Sequence, residues 1–283
     1  MNKSAPLDVT RPFGPGDLDA LAALCARSLH DPPDVSELEG ALVTSDQPAT
    51  VFGDPSVAVV AVVECEEGPH VRLLVVDPAE RGRGHGHALL DAAERWAIEA
   101  GHTSLTTGAD PPYFLWPGVP ITETGLLCLL ERRRYLRVET NFDVNVDVHR
   151  IPDDPGGWFL AGPGERDEIE TWTGAHWRNW QAEVRRACDK GNLVLSRSTD
   201  EAQEITAFCA FEVNRRGRLG PVAVRPDLIG HGQGRAVLIG ALHELRRRGR
   251  DVIAVTWVGP IVPYAAVGGS AGEVFFVHRK ELR

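Results

Sequence analysis

Two glycine-dense turns carry the chemistry that this chain can be read to perform. The first, Arg81-Gly82-Arg83-Gly84-His85-Gly86, follows an apolar run from Leu73 to Val76 and a proline at Pro78. Glycine lets the backbone pass close to a ligand. Directly after the turn, Leu89, Ala92, Ala93 and Trp96 recur at helical spacing. The first amides of such a helix have no partner inside it and point at whatever lies in the turn, which suits an anion. Two common phosphate motifs are excluded. No Lys-Ser or Lys-Thr follows a glycine, and glycines at 82, 84 and 86 do not make GxGxxG. The second turn, Gly230-His231-Gly232-Gln233-Gly234, repeats the first: Pro78 recurs as Pro226, 148 residues on, and the same offset carries Gly84 to Gly232 and Gly86 to Gly234. Ile229 stands where Arg81 should recur. Backbone amides supply most of the donors, so that exchange leaves the chemistry intact.

Positioning these turns requires a strand before each and a helix after. In the first half, Asp17 is placed to cap a helix through Ser28, and a second helix covers Val35 to Leu42. A short strand is expected near Val9 to Pro12. Ala49 to Phe52 and Val57 to Cys65 read as antiparallel strands, followed by His70 to Val76 and Thr103 to Thr107, which should lie parallel across the first turn's helix. A proline-rich loop, Asp110 to Pro120, precedes a helix from Thr124 to Arg133, and Asn141 to Val148 alternates as a final strand. Arg150 to Gly157 combines proline, acid and glycine and marks a boundary between domains 1–150 and 157–283. The second half repeats the order with strands at Leu193 to Arg197, Ile205 to Val213, Leu219 to Val224, Val252 to Trp257 and Glu273 to His278. Its helical opening holds Trp172, Trp177 and Trp180.

Composition agrees with a duplicated globular protein. The chain has 283 residues, 43% of them apolar and 25% charged. Its net charge of −10 argues against nucleic acid or an anionic membrane as the main partner. Five scattered cysteines without a CxxC pair read as reduced, buried thiols, and no metal-ligand cluster is legible. There is no signal-like stretch at the N-terminus and no long apolar run, so a cytoplasmic location is expected.

The strand ending Val76-Asp77-Pro78, with Arg81, Gly84 and Gly86 following, resembles motif A of the GNAT acetyltransferases, [QR]xxGx[GA] after VxP. Both halves together resemble a tandem GNAT protein over nearly the whole chain. The resemblance implies an α+β fold of two domains, each a mixed, mostly antiparallel twisted sheet with helices on both faces. The fourth and fifth strands of each should splay into a slot for a thioester. It implies acetyl-CoA as co-substrate, held along the strand edges Leu74, Val75, Val76 and Val222, Ala223, Val224. The turn residues Arg81, Gly82, Arg83, Gly84, His85, Gly86 and His87, and Gly230, His231, Gly232, Gln233, Gly234 and Arg235, would hold its pyrophosphate. The second substrate would be a small amine.

Acetyl transfer needs an uncharged amine and a proton for the departing thiolate. Tyr264-Ala265-Ala266-Val267-Gly268-Gly269 resembles the family's YxxxG[FA] pattern, whose tyrosine is that donor. In the first half Leu130 falls at this position. Glu212, among Phe208, Phe211 and Val213, is a candidate general base if burial raises its pKa. Glu64, Asp110 and Asp251 are further carboxylates near strands, and water chains serve in many relatives. The Pro112–Pro120 loop and Thr256-Trp257-Val258-Gly259-Pro260 are similar to tandem GNATs that acetylate glucosamine and glucosaminides, and the tandem order also resembles mycothiol synthase-type enzymes. Aromatic rings suit the apolar face of a sugar. A second class of function is a non-catalytic acyl-CoA-binding module built from two degenerate domains.

Overall fold

A computed structural model describes residues 12–283; the strand expected near Val9 to Pro12 lies essentially outside them. The helices α1 (Leu18–Ser28) and α2 (Val35–Leu42) form where Leu18, Leu21, Leu24, Leu38 and Leu42 recur on one face. Asp34 caps α2 by accepting from the Glu37 amide, while Glu37 accepts in return from the Asp34 amide. The Asp17 side chain accepts from Gly14 N, fixing the turn ahead of α1 and leaving the helix itself without a side-chain cap. The strands β1 (Thr50–Asp54), β2 (Ala58–Cys65) and β3 (Gly68–Val76) then form an antiparallel meander. Helix α3 (His85–Glu99) leads to β4 (Ser104–Thr107), parallel to β3. The short β5 (Val119–Pro120) and α4 (Thr124–Arg132) follow, and then the long β6 (Leu136–Asp147).

The second half continues through β7 (Phe159–Leu160), α5 (Arg166–His176), α6 (Gln181–Asp189), β8 (Leu193–Arg197), β9 (Ile205–Phe211) and β10 (Arg218–Val224). Helix α7 (Gln233–Arg247), β11 (Val252–Val255), α8 (Val262–Ala265) and β12 (Ser270–Glu281) complete it. Gly101 and Gly249, both in the left-handed region, stand just past the ends of α3 and α7, as their sequence positions predict.

The chain forms two compact units that do not follow the division at residues 150–157. One comprises the residues up to Asn141 together with Val274–Arg283, and the other is Phe142–Glu273. The cause is an exchange of terminal strands. In the first unit, β4 is paired by β12 (Thr107↔His278 to Ser104↔Glu281), which comes from the end of the chain. In the second, β11 is paired by β6 (Val255↔Val144 to Val252↔Asp147), which comes from the first half. Each sheet is mixed and mostly antiparallel. In the first unit α1 and α2 cover one face and α3 and α4 the other; in the second, α5 and α6 lie opposite α7 and α8. Both faces are apolar because the strands alternate within a buried sheet, as Val60 and Val62 against α3, and Val59 and Ala61 against α1 and α2, illustrate.

Candidate active site

The two glycine turns share one backbone shape. Gly82 and Gly84 have φ of 77° and 92°, and Gly230 and Gly232 have 89° and 86°. A side chain is strained at all four, which is why glycine recurs there. Gly84 and Gly232 are the N-caps of α3 and α7, neither helix has a side-chain cap, and neither has an acid in its first turn. The opening amides of both helices therefore lack an intrahelical acceptor, an arrangement that suits an anion. Arg81 is engaged elsewhere, with its Nη2 donating to Ser28 O and its Nε to Val76 O, and so ties the turn to the end of α1. Ile229 at the same position in the second unit is 67% exposed, and that turn has the same glycine backbone angles without the arginine's bonds. Arg83 pairs with Glu80, while His231 and Arg235 are exposed and Gln233 lies near Ser196.

In both units the strand before the turn parts from its parallel neighbour after two rungs. β3 meets β4 at His70↔Thr106 and Val71↔Thr107, and β10 meets β11 at Arg218↔Ala254 and Leu219↔Val255. The last bonds are Gly108 N to Val71 O and Thr256 N to Leu219 O. Beyond them Ala109 and Trp257, again 148 residues apart, adopt left-handed backbone with φ of 54° and 57° and turn their strands aside. A bulge in β3 opposite Ala61/Val62 and one in β10 between Leu219 and Val222 add to the divergence. The edges Leu74–Val76 and Val222–Val224 are thus left without a parallel partner, as an acyl-CoA slot requires.

Residues 22–112 match the sequence profile of the acetyltransferase (GNAT) family. No curated protein matches the chain. Among solved structures, the glucosamine N-acetyltransferase region of a fungal multi-domain GH3 β-N-acetylglucosaminidase superposes with a TM-score of 0.76 at 19% identity, covering 99% of this chain. This chain spans 39% of the length of that fungal protein. A GCN5-related N-acetyltransferase from Sphaerobacter thermophilus superposes at TM-score 0.70 and 20% identity, covering 96% of this chain and 95% of its own. A tandem GNAT protein from the clavulanic acid biosynthesis pathway superposes at 0.66 and 16% identity, covering 95% of both.

The fold is a tandem GNAT fold.

The two units differ in what packs around their parted strands. In the first, the loop after β4 folds inward. Tyr113 and Leu115 are 4% and 2% exposed and pack with α1 and α2. Arg72, from the β3 bulge, pairs with Asp110, reaches Ala41 O at the end of α2, and lies 4.8 Å from the Tyr113 ring centroid. Tyr113, an aromatic residue of the loop likened to those of sugar-acetylating tandem GNATs, is thus core, as is Leu115. On the opposite face Leu130 is buried, and Leu129 of α4 stands against Gly86, where a Cβ would come within 2.7 Å of its Cδ2.

In the second unit, Tyr264 is partly buried and packs against the cluster built on α7, as Val222 and Val224 of the strand edge also do. Its hydroxyl takes no hydrogen-bond partner among the described residues. Burial, with a smaller contribution from Cys209, pushes its pKa up to about 12. The start of α7 is met by the strand itself, Val224 against Gly234.

Glu212 does not fit the role of base. It sits in the turn after β9, at the end of β10 remote from the glycine turn, with its carboxylate bonded to Arg250 and the Gly217 amide. Burial pushes its pKa up, but Arg250 and the amide outweigh it and hold the carboxyl below its usual range. Glu64 is exposed beside His102, and Asp251 is exposed beside His149. Where β10 and β11 part, burial raises the carboxyl of Asp143 on β6 to about 6, against the opposing effects of Arg218 and the Trp257 amide. The alternation of Phe142, Val144, Val146 and Val148 assigns Asp143 to the other face, where Asn145 is exposed and Asp147 half-buried while Asp143 itself is buried. Among the described residues no group of three or more metal-ligating side chains occurs, and no helix is long and apolar enough to cross a membrane. Cys128 is exposed, whereas Cys25, Cys65, Cys188 and Cys209 are buried.

Proposed function

We propose that the chain is an acetyl-CoA-dependent N-acetyltransferase whose chemistry resides in the second unit and whose acceptor is the primary amine of a small molecule, an amino sugar. The observation that carries this reading is the asymmetry of the slots. Among the described residues, the second unit alone sets a phenol without a hydrogen-bond partner, Tyr264, against the cluster that also receives Val222 and Val224 of the parted strand, while the first unit has the buried Leu130 at that position and packs Tyr113 and Leu115 into its core. The amides opening α7 would hold the pyrophosphate, and the Val222–Val224 edge would pair with the pantetheine arm. A phenol raised to about 12 stays protonated through the physiological range and has its proton available for the departing thiolate.

Support for the sugar class comes from the name of the fungal neighbour and from Trp172, Trp177 and Trp180. These are half-buried on the face of the second unit that carries α5 and α6, with Trp177 and Trp180 stacked at 6.0 Å. Trp172 meets Phe208 edge-on, and Phe208 is the strand partner of Ala223 on the slot edge. The apolar face of a pyranose suits such rings.

The first unit, with a slot closed on both faces, fits a non-catalytic role. The test is CoA release from acetyl-CoA in the presence of glucosamine, glucosaminides, aminoglycosides, polyamines and amino acids. Release stimulated by an amino sugar is expected. Coenzyme binding without release for any amine would favour the binding-module reading of the whole chain.

A further inference from the structure

The vertex at which β10 and β11 part is built around a buried carboxylate that no motif points to. Thr256 and Trp257 together oppose the single residue Asp143, because Val144 pairs with Val255 while Val258 N donates to Phe142 O. The left-handed turn at Trp257 brings its amide to within 3.3 Å of Asp143 Oδ1, and Arg218 Nη1 lies 2.7 Å from Oδ2. Asp143 is buried, whereas the side chain of its partner Arg218 is 21% exposed. Gly220, the first residue of β10 past the vertex, leaves the Thr256 hydroxyl 3.8 Å from where a Cβ would stand, so the two arms are separated there by little side-chain bulk. The charged groups facing Asp143 are Arg218 from β10 and Glu273 from β12. Two carboxylates against one guanidinium give a local charge of −1, which favours an ammonium ion.

We infer that Asp143 receives the acceptor's ammonium proton across one bridging water, with Arg218 as the residue that positions it. This rests on the transferase reading above. Asp143 takes one proton from the ammonium and frees its lone pair, and the nitrogen then forms a bond to the thioester carbon. As the carbon–sulfur bond breaks, Tyr264 gives its proton to sulfur. The second proton leaving nitrogen restores the phenol, and Asp143 returns its own to solvent, so that amide, CoA thiol and one proton are the products. The strand bearing Asp143 belongs by sequence to the first half. The matching position on the exchanged strand of the first unit, next to His278 as Asp143 is next to Val144, is Val277. A half whose own slot is filled would therefore be retained because it supplies the carboxylate to the other.

The test is the pH dependence of kcat for CoA release, with saturating acetyl-CoA and glucosamine, in four proteins checked for folding by thermal unfolding. Wild type should lose rate below a midpoint near 6. Asp143→Asn should lose roughly 10²-fold or more and show no such limb. Arg218→Gln, by removing the cation that favours the carboxylate, should move the midpoint up, and Glu273→Gln, by removing a like charge, should move it down. A purely structural Asp143 would change stability and leave the midpoint in place. Folded Asp143→Asn with wild-type rate and limb, or midpoints unmoved in both neighbours, would overturn the assignment while leaving the transferase reading intact. If wild type binds acetyl-CoA but no amine stimulates release, both fall together.

Discussion

Replacing Asp110 by asparagine asks whether the loop after β4 is core or surface. The Arg72 and Asp110 side chains are 0% and 1% exposed. Arg72 also donates to Ala41 O and Gln47 O, so it joins β3, the end of α2 and the loop that follows. Asparagine keeps the shape and removes the charge, leaving a guanidinium buried without its counter-ion. Breaking such a pair from one side costs about 3–5 kcal/mol. At ~2–4 °C per kcal/mol for a unit of this size, the melting temperature should fall by roughly 6–20 °C. Arg72→Met with Asp110→Leu removes both charges and should recover part of the loss. Recovery is incomplete because Ala41 O and Gln47 O then lose a donor, at about 1–3 kcal/mol for each group left unsatisfied. Circular dichroism on heating gives the total, and hydrogen exchange at the α2 amides gives its location. A loss below about 1 kcal/mol, the range of a surface ion pair, would refute the claim that this loop closes the first slot.

Three further outcomes follow from the same packing. Gly234→Asp should abolish acetyl-CoA binding measured by calorimetry, since charge and bulk meet the pyrophosphate position, whereas Gly86→Asp should leave the binding stoichiometry unchanged because the proposed function assigns the coenzyme to the second unit. A chain cut between Asp153 and Asp154 should elute as one particle in size-exclusion chromatography, because Val274–Arg283 belong to the first unit and Phe142–Asp153 to the second. Glu183, buried on α6 and bonded by Asn214, has its pKa raised by burial, against Arg186, from 4.5 to about 8. Between those values the folded state binds more protons than the unfolded one, so this residue's contribution to stability is lost as pH rises through that window. Glu183→Gln should accordingly raise the melting temperature at pH 8 relative to wild type and lose that advantage towards pH 4.5.

The helices and most strand bounds were legible because they depend on local periodicity, as at Val35–Leu42 and Leu193–Arg197. The two turns were legible because only glycine adopts their backbone without strain. The exchange of β6 and β12 was not, since an alternating strand reads the same whichever sheet it joins. Nor was the fate of Tyr113, whose neighbours Arg72 and Gly40 are distant in sequence. Glu212 and Asp143 are both acids beside aliphatic strand residues. Arg250 lies 38 residues from the one and Arg218 lies 75 from the other, and only the fold reveals that the first pair sits far from the slot and the second at its vertex.

The central claim, that chemistry resides in the second unit, is tested most directly by kcat of Tyr264→Phe. The substitution keeps the ring against the cluster built on α7 and deletes one proton donor. A loss of about 10²–10⁴-fold in kcat with little change in acetyl-CoA affinity is the predicted result. Leu130→Ala, at a cost of roughly 2–5 kcal/mol for the cavity, should leave turnover of the folded protein near normal. Near-normal kcat in folded Tyr264→Phe, with activity eliminated by lesions in the Arg81–Gly86 turn, would contradict it and assign catalysis to the first unit.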